Sequence, residues 1–88
     1  MKLKLQWSEQ FKKEYRALPQ RIQKQANRKL KLLCENLWHP SLRFKKMKGR
    51  SDELCEASVT MNYRITFYVQ GEVCLLKHIG THDILNRQ

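Results

Sequence analysis

Apolar residues along this chain repeat with two different periods, and the change from one to the other fixes the class of fold. Between residues 11 and 37 they recur every three or four positions: Phe11, Tyr15 and Leu18, then Ile22, Ala26, Leu30, Leu33 and Leu37. That is the stripe of an amphipathic helix. From residue 53 onward they alternate instead, most clearly at Tyr63, Ile65, Phe67 and Val69, with Arg64, Thr66 and Tyr68 between them. Alternation is the mark of a strand with one buried face. A shorter alternation, Lys2-Leu3-Lys4-Leu5-Gln6, opens the chain. The class expected is α+β: an N-terminal strand, an antiparallel helical hairpin and a three-stranded antiparallel meander, with the helices packed on one sheet face.

Local signals set the expected boundaries. Ser8 suits a helix N-cap, and Glu9 suits the positive end of the helix dipole. Pro19 stops the first helix and fits the first turn of the next. Trp38-His39-Pro40 ends the second, because the residue before a proline is pushed out of the helical region. Three β-rich runs follow, at 53–59, 63–69 and 73–79, joined through Thr60-Met61-Asn62 and Gln70-Gly71-Glu72. Connections this short make neighbouring strands antiparallel. Cys55, Ala57 and Val59 belong on the core face, which sends Leu54, Glu56 and Ser58 to the side of Arg64. Trp7 and Trp38 flank the hairpin as core plugs, and a turn at Gly80 leads into a short tail.

An 88-residue chain holds one domain, here residues 1–88, with a thin core. It has no room for a two-domain enzyme and no glycine fingerprint for a dinucleotide. Its 41% apolar content is too high for the usual disordered composition. No apolar stretch reaches the roughly 18 residues of a membrane span, and the first residues lack the apolar core of a signal peptide. A soluble, cytoplasmic protein with no membrane partner is expected. Cys34, Cys55 and Cys74 are odd in number and scattered, which suits reduced, buried thiols better than a disulfide framework. Cys74, His78 and His82 share a spacing superficially like that of zinc ligands, but residues four apart on a strand lie about 13 Å from one another, so no metal is expected.

Charge is distributed very unevenly. Residues 1–50 carry 15 Lys and Arg against 3 Asp and Glu, a net of +12, whereas residues 51–88 carry 3 against 5, a net of −2. Five of the eight residues from Arg43 to Arg50 are cationic. Lysines on the helices, Lys29 and Lys31 among them, need be no more than a solvated face. The cluster between the elements differs, since like charges packed so closely repel unless an anion is near, and a polyanion is the expected partner.

The order strand, two helices, basic loop and meander, with the phrases Glu53-Leu54-Cys55-Glu56-Ala57, Asn62-Tyr63-Arg64-Ile65-Thr66-Phe67 and Ile79-Gly80-Thr81-His82-Asp83-Ile84-Leu85, resembles the RelE/ParE superfamily of bacterial toxin–antitoxin toxins. The resemblance covers nearly the whole chain, and its specific part is the Tyr-Arg pair and the Gly-Thr-His-Asp phrase. It implies a compact α+β ribonuclease that enters the ribosomal A site, cuts mRNA there without metal or small-molecule cofactor, and is held inactive by a cognate antitoxin. One branch instead poisons DNA gyrase without being a nuclease, and a non-catalytic RNA-binding module is a third alternative. RelE itself carries two lysines on the strand before the Tyr-Arg pair, where this chain reads Cys55-Glu56-Ala57, and the histidine that other histidine-dependent members have there is absent too.

Metal-free RNA cleavage needs a group near neutral pKa to move protons and fixed cations to stabilise the pentavalent phosphorane. Arg64 interrupts an apolar strand and matches the family arginine that faces the scissile phosphate; an ion pair with Glu56 across the strands is the structural alternative. His82 coincides with the family histidine near the C-terminus and is the candidate general acid or base, with Asp83 either orienting it or contributing its own carboxylate. Lys45, Lys46, Lys48 and Arg50 are candidates for holding mRNA and ribosomal RNA phosphates, and Tyr68, on the face of Arg64, for stacking on a base.

Overall fold

A computed structural model describes residues 2–47 and 53–81. The elements run β1 (Lys4–Trp7), α1 (Glu9–Arg16), α2 (Gln20–Glu35), a 3-10 turn (Pro40–Leu42), β2 (Lys45–Lys46), β3 (Cys55–Ser58), β4 (Tyr63–Gln70) and β5 (Val73–Thr81). The strands form one sheet in the order β1-β5-β4-β3-β2. β1 lies parallel to β5, and every other pairing is antiparallel. The expected meander is therefore the centre of a five-stranded mixed sheet. Its extra edge is β2, where the segment expected to be a loop pairs Lys45 and Lys46 with Glu56 and Cys55.

Ser8 caps α1 by accepting the Phe11 N–H at 3.1 Å, and its hydroxyl donates to the Lys77 carbonyl at 3.2 Å. Lys77 is the extra residue where β5 slips against β4, with Thr66 opposite His78 but Phe67 opposite Leu76. One serine thus starts the helix and moors it to the bulge. Glu14, in the last turn of α1, adds a second mooring: its Oε1 accepts the Ile79 N–H at 3.1 Å, and His78 Nδ1 lies 3.3 Å from both of its oxygens. A two-residue turn, Gly71-Glu72, joins β4 to β5, and Gly71 takes φ +59, a conformation open to glycine at little cost.

Pro19 serves α2 as its N-cap rather than within its first turn, and the helix ends at Glu35, before Trp38-His39-Pro40, with Asn36 as its C-cap. The apolar stripe Ile22, Ala26, Leu30 and Leu33 packs with Phe11 and Leu42 into one cluster with Ala57, Ile65, Phe67, Leu76 and Ile79 of the sheet. The two helices therefore cover one sheet face. The tryptophans part company. Trp7 packs edge-on to Phe11 and Tyr15 at 4.9 and 5.1 Å, whereas Trp38, expected as a core plug, is 75% exposed and packs edge-on to Phe44 at 5.1 Å. Helix α2 has already ended when the chain reaches it. Cys55 and Cys74 are buried, and Cys34 is half-buried, its thiol donating to the Leu3 carbonyl at 2.8 Å. Among the described residues no helix is long and apolar enough to cross a membrane.

Candidate nucleic-acid site

The sheet face turned away from the helices carries the polar residues of the central strands. Register explains how they meet. Lys45 lies opposite Glu56 and Glu56 opposite Thr66, while Arg64 lies opposite Ser58 one step along. Paired residues share a face, and the next residue along takes the other. Glu56, its side chain only 5% exposed, is held by Arg64 Nε at 3.4 Å and by Lys45 Nζ at 3.8 Å. The ion pair weighed as the alternative role of Arg64 is present.

Arg64 is also fastened to the backbone. Its Nη1 donates to the carbonyls of Thr60 at 2.6 Å, Met61 at 2.9 Å and Tyr63 at 3.3 Å, closing the β3–β4 turn. Its side chain remains 19% exposed and lines a cleft of about 190 Å3 together with Lys29, Ser41, Arg43, Ser58 and Thr60. The guanidinium is therefore fixed in position and still reachable.

Not every expected site residue joins it. Lys45 does, through Glu56. Lys46 does not: it lies opposite Cys55, on the core side, and lines a separate apolar cleft with Trp38, Phe44 and Val69. Two neighbouring lysines in a strand cannot serve one face. Tyr68 shares the strand face of Arg64 by alternation, four residues and about 13 Å away. The turn expected at Gly80 is instead strand, since Gly80 pairs with Arg64 and Thr81 with Tyr63. β5 thus ends beside the start of β4. His82, Asp83, Lys48 and Arg50 lie outside the described residues.

Two cations of the cleft, Lys29 and Arg43, were not singled out as site residues from sequence. A signal for Lys29 existed. It stands seven residues after Ile22 and four before Leu33, on the border of the buried stripe of α2, not on the outer face. Arg43 was only one of five cations in a run, and nothing in its spacing marked it. Thr66 Oγ1, on the same face as Glu56, is buried with no hydrogen-bond partner among the described residues. Among those residues no three His, Cys, Asp or Glu side chains come together in a way that could hold a metal ion.

No family model and no curated protein sequence matches this chain. Solved structures do. The toxin of the Escherichia coli DinJ-YafQ toxin-antitoxin complex superposes with a TM-score of 0.79 at 16% identity, over 97% of this chain and 98% of that one. The chain has the RelE/ParE toxin fold. The archaeal RelE-RelB complex from Pyrococcus horikoshii OT3 matches at TM-score 0.75 and 18% identity, over 92% and 96% of the two chains. The YoeB dimer from Staphylococcus aureus matches at 0.71 and 17%, over 93% and 99%. Within the RelE/ParE fold, Arg64 sits at the end of the central strand pair where β5 runs out.

Proposed function

We propose that this chain is the toxin of a toxin–antitoxin pair and a metal-independent endoribonuclease that cuts mRNA in the ribosomal A site. The observation that carries the proposal is Arg64, a guanidinium immobilised by the carbonyls of Thr60, Met61 and Tyr63 and by Glu56 yet open to a cation-lined cleft, at the sheet end where β5 stops at Thr81. Two of the similar structures are complexes with antitoxins, DinJ and RelB, which supports a cognate antitoxin as partner.

In this mechanism a base takes the proton of the 2′-hydroxyl, and the 2′-oxygen attacks phosphorus. The bond from phosphorus to the 5′-oxygen breaks, and an acid gives that oxygen its proton, leaving a 2′,3′-cyclic phosphate and a 5′-hydroxyl. His82 is the residue assigned to proton transfer, because imidazole is the side chain whose unperturbed pKa lies near neutrality, and Asp83 orients it. Arg64 stabilises the negative charge that builds up on the phosphorane. Because its positive charge is held in place and needs no rearrangement as the phosphorane's charge develops, its fastening to the turn aids that task. Lys45, Lys48 and Arg50 neutralise flanking phosphates, and Tyr68 stacks on a base.

The grip of Glu56 on Arg64 favours one competing reading, in which the arginine is purely structural and the protein inhibits its target by contact, as the gyrase-poisoning branch of the resemblance does. Induced expression separates the two. The nuclease requires prompt loss of translation with cuts in A-site codons, abolished by His82→Ala; DNA breaks with intact mRNA would refute it.

A further inference from the structure

We propose that the cleft between α2, the 3-10 turn and the β3–β4 turn is a phosphate subsite, in which Lys29 and Arg43 take the phosphodiester next to the one facing Arg64. The proposal rests on the RNA-binding reading of Arg64 but makes its own claim about Lys29, expected only on a solvated face, and about Arg43, expected only as one cation of the 43–50 cluster. Three cations reach the cleft from three separate elements: Lys29 from α2, Arg43 from the end of the 3-10 turn and Arg64 from β4. Ser41, Ser58 and Thr60 add hydroxyl-bearing side chains, and among the described residues the lining includes no carboxylate. Among the described residues, neither Lys29 nor Arg43 has a carboxylate within salt-bridge distance. Arg64 is paired with Glu56, whereas Lys29 and Arg43 repel each other with no described carboxylate between them, and an oxyanion offering several acceptor oxygens relieves that repulsion.

Each wall of the cleft is already fastened to its cation. Lys29 Nζ donates to the Ser41 carbonyl at 3.0 Å, which ties the helix to the 3-10 turn. Arg64 Nη1 ties the opposite wall through Thr60 and Met61. The 3-10 turn is itself pinned by the fully buried Leu42 and by His39, whose Nδ1 accepts the Ser41 N–H at 3.2 Å. Arg43 closes that turn in the left-handed region, at φ 48 and ψ 47. An L-residue with a long side chain holds that conformation at a cost, and glycine would hold it freely. That conformation sets a cationic side chain, in place of glycine, on the wall of the cleft.

The occupant favoured is a phosphate of single-stranded RNA. Its tetrahedral oxygens suit cations and hydroxyls arriving from three directions, and a strand seated at Arg64 brings its neighbouring phosphate within reach of the same cleft. An acidic peptide would bring planar carboxylates, which the paired forks of arginine serve without a surrounding cradle.

The test uses the full chain and needs no cleavage. A single-stranded RNA hexamer methylated at every 2′-oxygen is titrated into isotope-labelled protein, with inorganic phosphate and a glutamate octapeptide as parallel probes. The RNA should shift the Arg43 side-chain signal and the backbone amides of residues 58–61. Arg43→Gly, which keeps the turn, and Lys29→Gln should each weaken RNA binding severalfold and lower the slope of log affinity against log salt by about 0.7. Unchanged affinity and slope in both variants would overturn the subsite. So would perturbation of these signals by the peptide or by inorganic phosphate but not by RNA. A protein that binds the hexamer here yet leaves cellular mRNA intact keeps the subsite and loses the nuclease reading. One that cuts mRNA while both variants bind normally loses only the subsite.

Discussion

Replacing Arg64 should unfold the protein more readily as well as disarm it, and the two effects need to be separated. In Arg64→Met the Glu56 carboxylate, 5% exposed, loses the partner at 3.4 Å, and the carbonyls of Thr60 and Met61 lose their donor. Breaking a buried ion pair from one side costs about 3–5 kcal/mol. Lys45 remains at 3.8 Å, but with 61% of its side chain exposed it compensates only in part, and the turn carbonyls lie close to water. The lower end of that range applies, about 3 kcal/mol. In a domain of this size each kcal/mol moves Tm by roughly 4–8 °C, so a fall of about 12–24 °C is expected by thermal denaturation. The cycle with Glu56→Gln makes the cause explicit. Once the carboxylate is neutral, the second substitution should cost less, giving a coupling of about 1–3 kcal/mol. A loss below about 0.5 kcal/mol for Arg64→Met, or strict additivity in the cycle, would show that the pair is a solvated contact and that the fastened-guanidinium argument fails. Growth arrest relieved by Arg64→Ala therefore demonstrates catalysis only when activity is expressed per folded molecule.

Three further outcomes follow from the packing. Thr66→Val should raise stability by about 1 kcal/mol in urea denaturation, because it removes a buried hydroxyl without a hydrogen-bond partner among the described residues at nearly constant volume; a loss would mean that the hydroxyl is satisfied. Burial, reinforced by Cys55 and Cys34, pushes the Cys74 thiol up to about 12. The folded state then holds a proton that the unfolded chain releases from about pH 8.5, so the contribution is intact below that pH and falls by about 1.4 kcal/mol per unit above it, toward pH 12. Urea midpoints at pH 8 and 10 should diverge less in Cys74→Ala than in the parent, and an equal divergence would place the thiol in water. Arg43→Gly should stay within about 0.5 kcal/mol of the parent, since relief of the left-handed conformation offsets glycine's flexibility, whereas Arg43→Val should cost about 1–2 kcal/mol. Equal stabilities would show that the left-handed conformation at Arg43 carries no strain.

The elements legible in the sequence are those whose periodicity and caps agree. Ser8, the stripe of α2 and the alternation of β4 all specify local structure that tertiary packing then uses. Other features depend on partners distant in sequence. Nothing near Lys45 and Lys46 announces a strand, because two residues become β2 only by pairing with Glu56 and Cys55. That pairing then sends the two lysines to opposite faces, which a count of cations cannot foresee. Gly80 looked like a turn for the same reason: its extended conformation is imposed by Arg64 across the ladder. Of the candidate site, the meeting of Arg64 with Glu56 was readable from alternation and charge. The gathering of Lys29 and Arg43 beside it was not, since it depends on how α2 lies against a turn that follows it.

Glu56 gives the proposed chemistry its particular character. The resemblance places lysines on this strand, and here a carboxylate occupies the face instead, bonded to the very cation assigned to the phosphorane. An anion beside a catalytic arginine weakens its attraction for phosphate, but it also removes the need to immobilise the side chain during reaction. The guanidinium bonds to Glu56 through Nε and to the turn through Nη1, so its orientation is set before substrate arrives. Substrate binding must then come from elsewhere on the surface, and the cleft beside Arg64 supplies Lys29 and Arg43 with no such anion among its described lining residues. On this arrangement ground-state binding and transition-state stabilisation fall to different residues. Removing Lys29 or Arg43 should raise KM with kcat nearly unchanged, whereas neutralising Glu56 should alter kcat, because only the latter changes what Arg64 offers to the phosphorane. The same KM-against-kcat pattern for both classes of substitution would mean that the cleft and the guanidinium act as one undivided site.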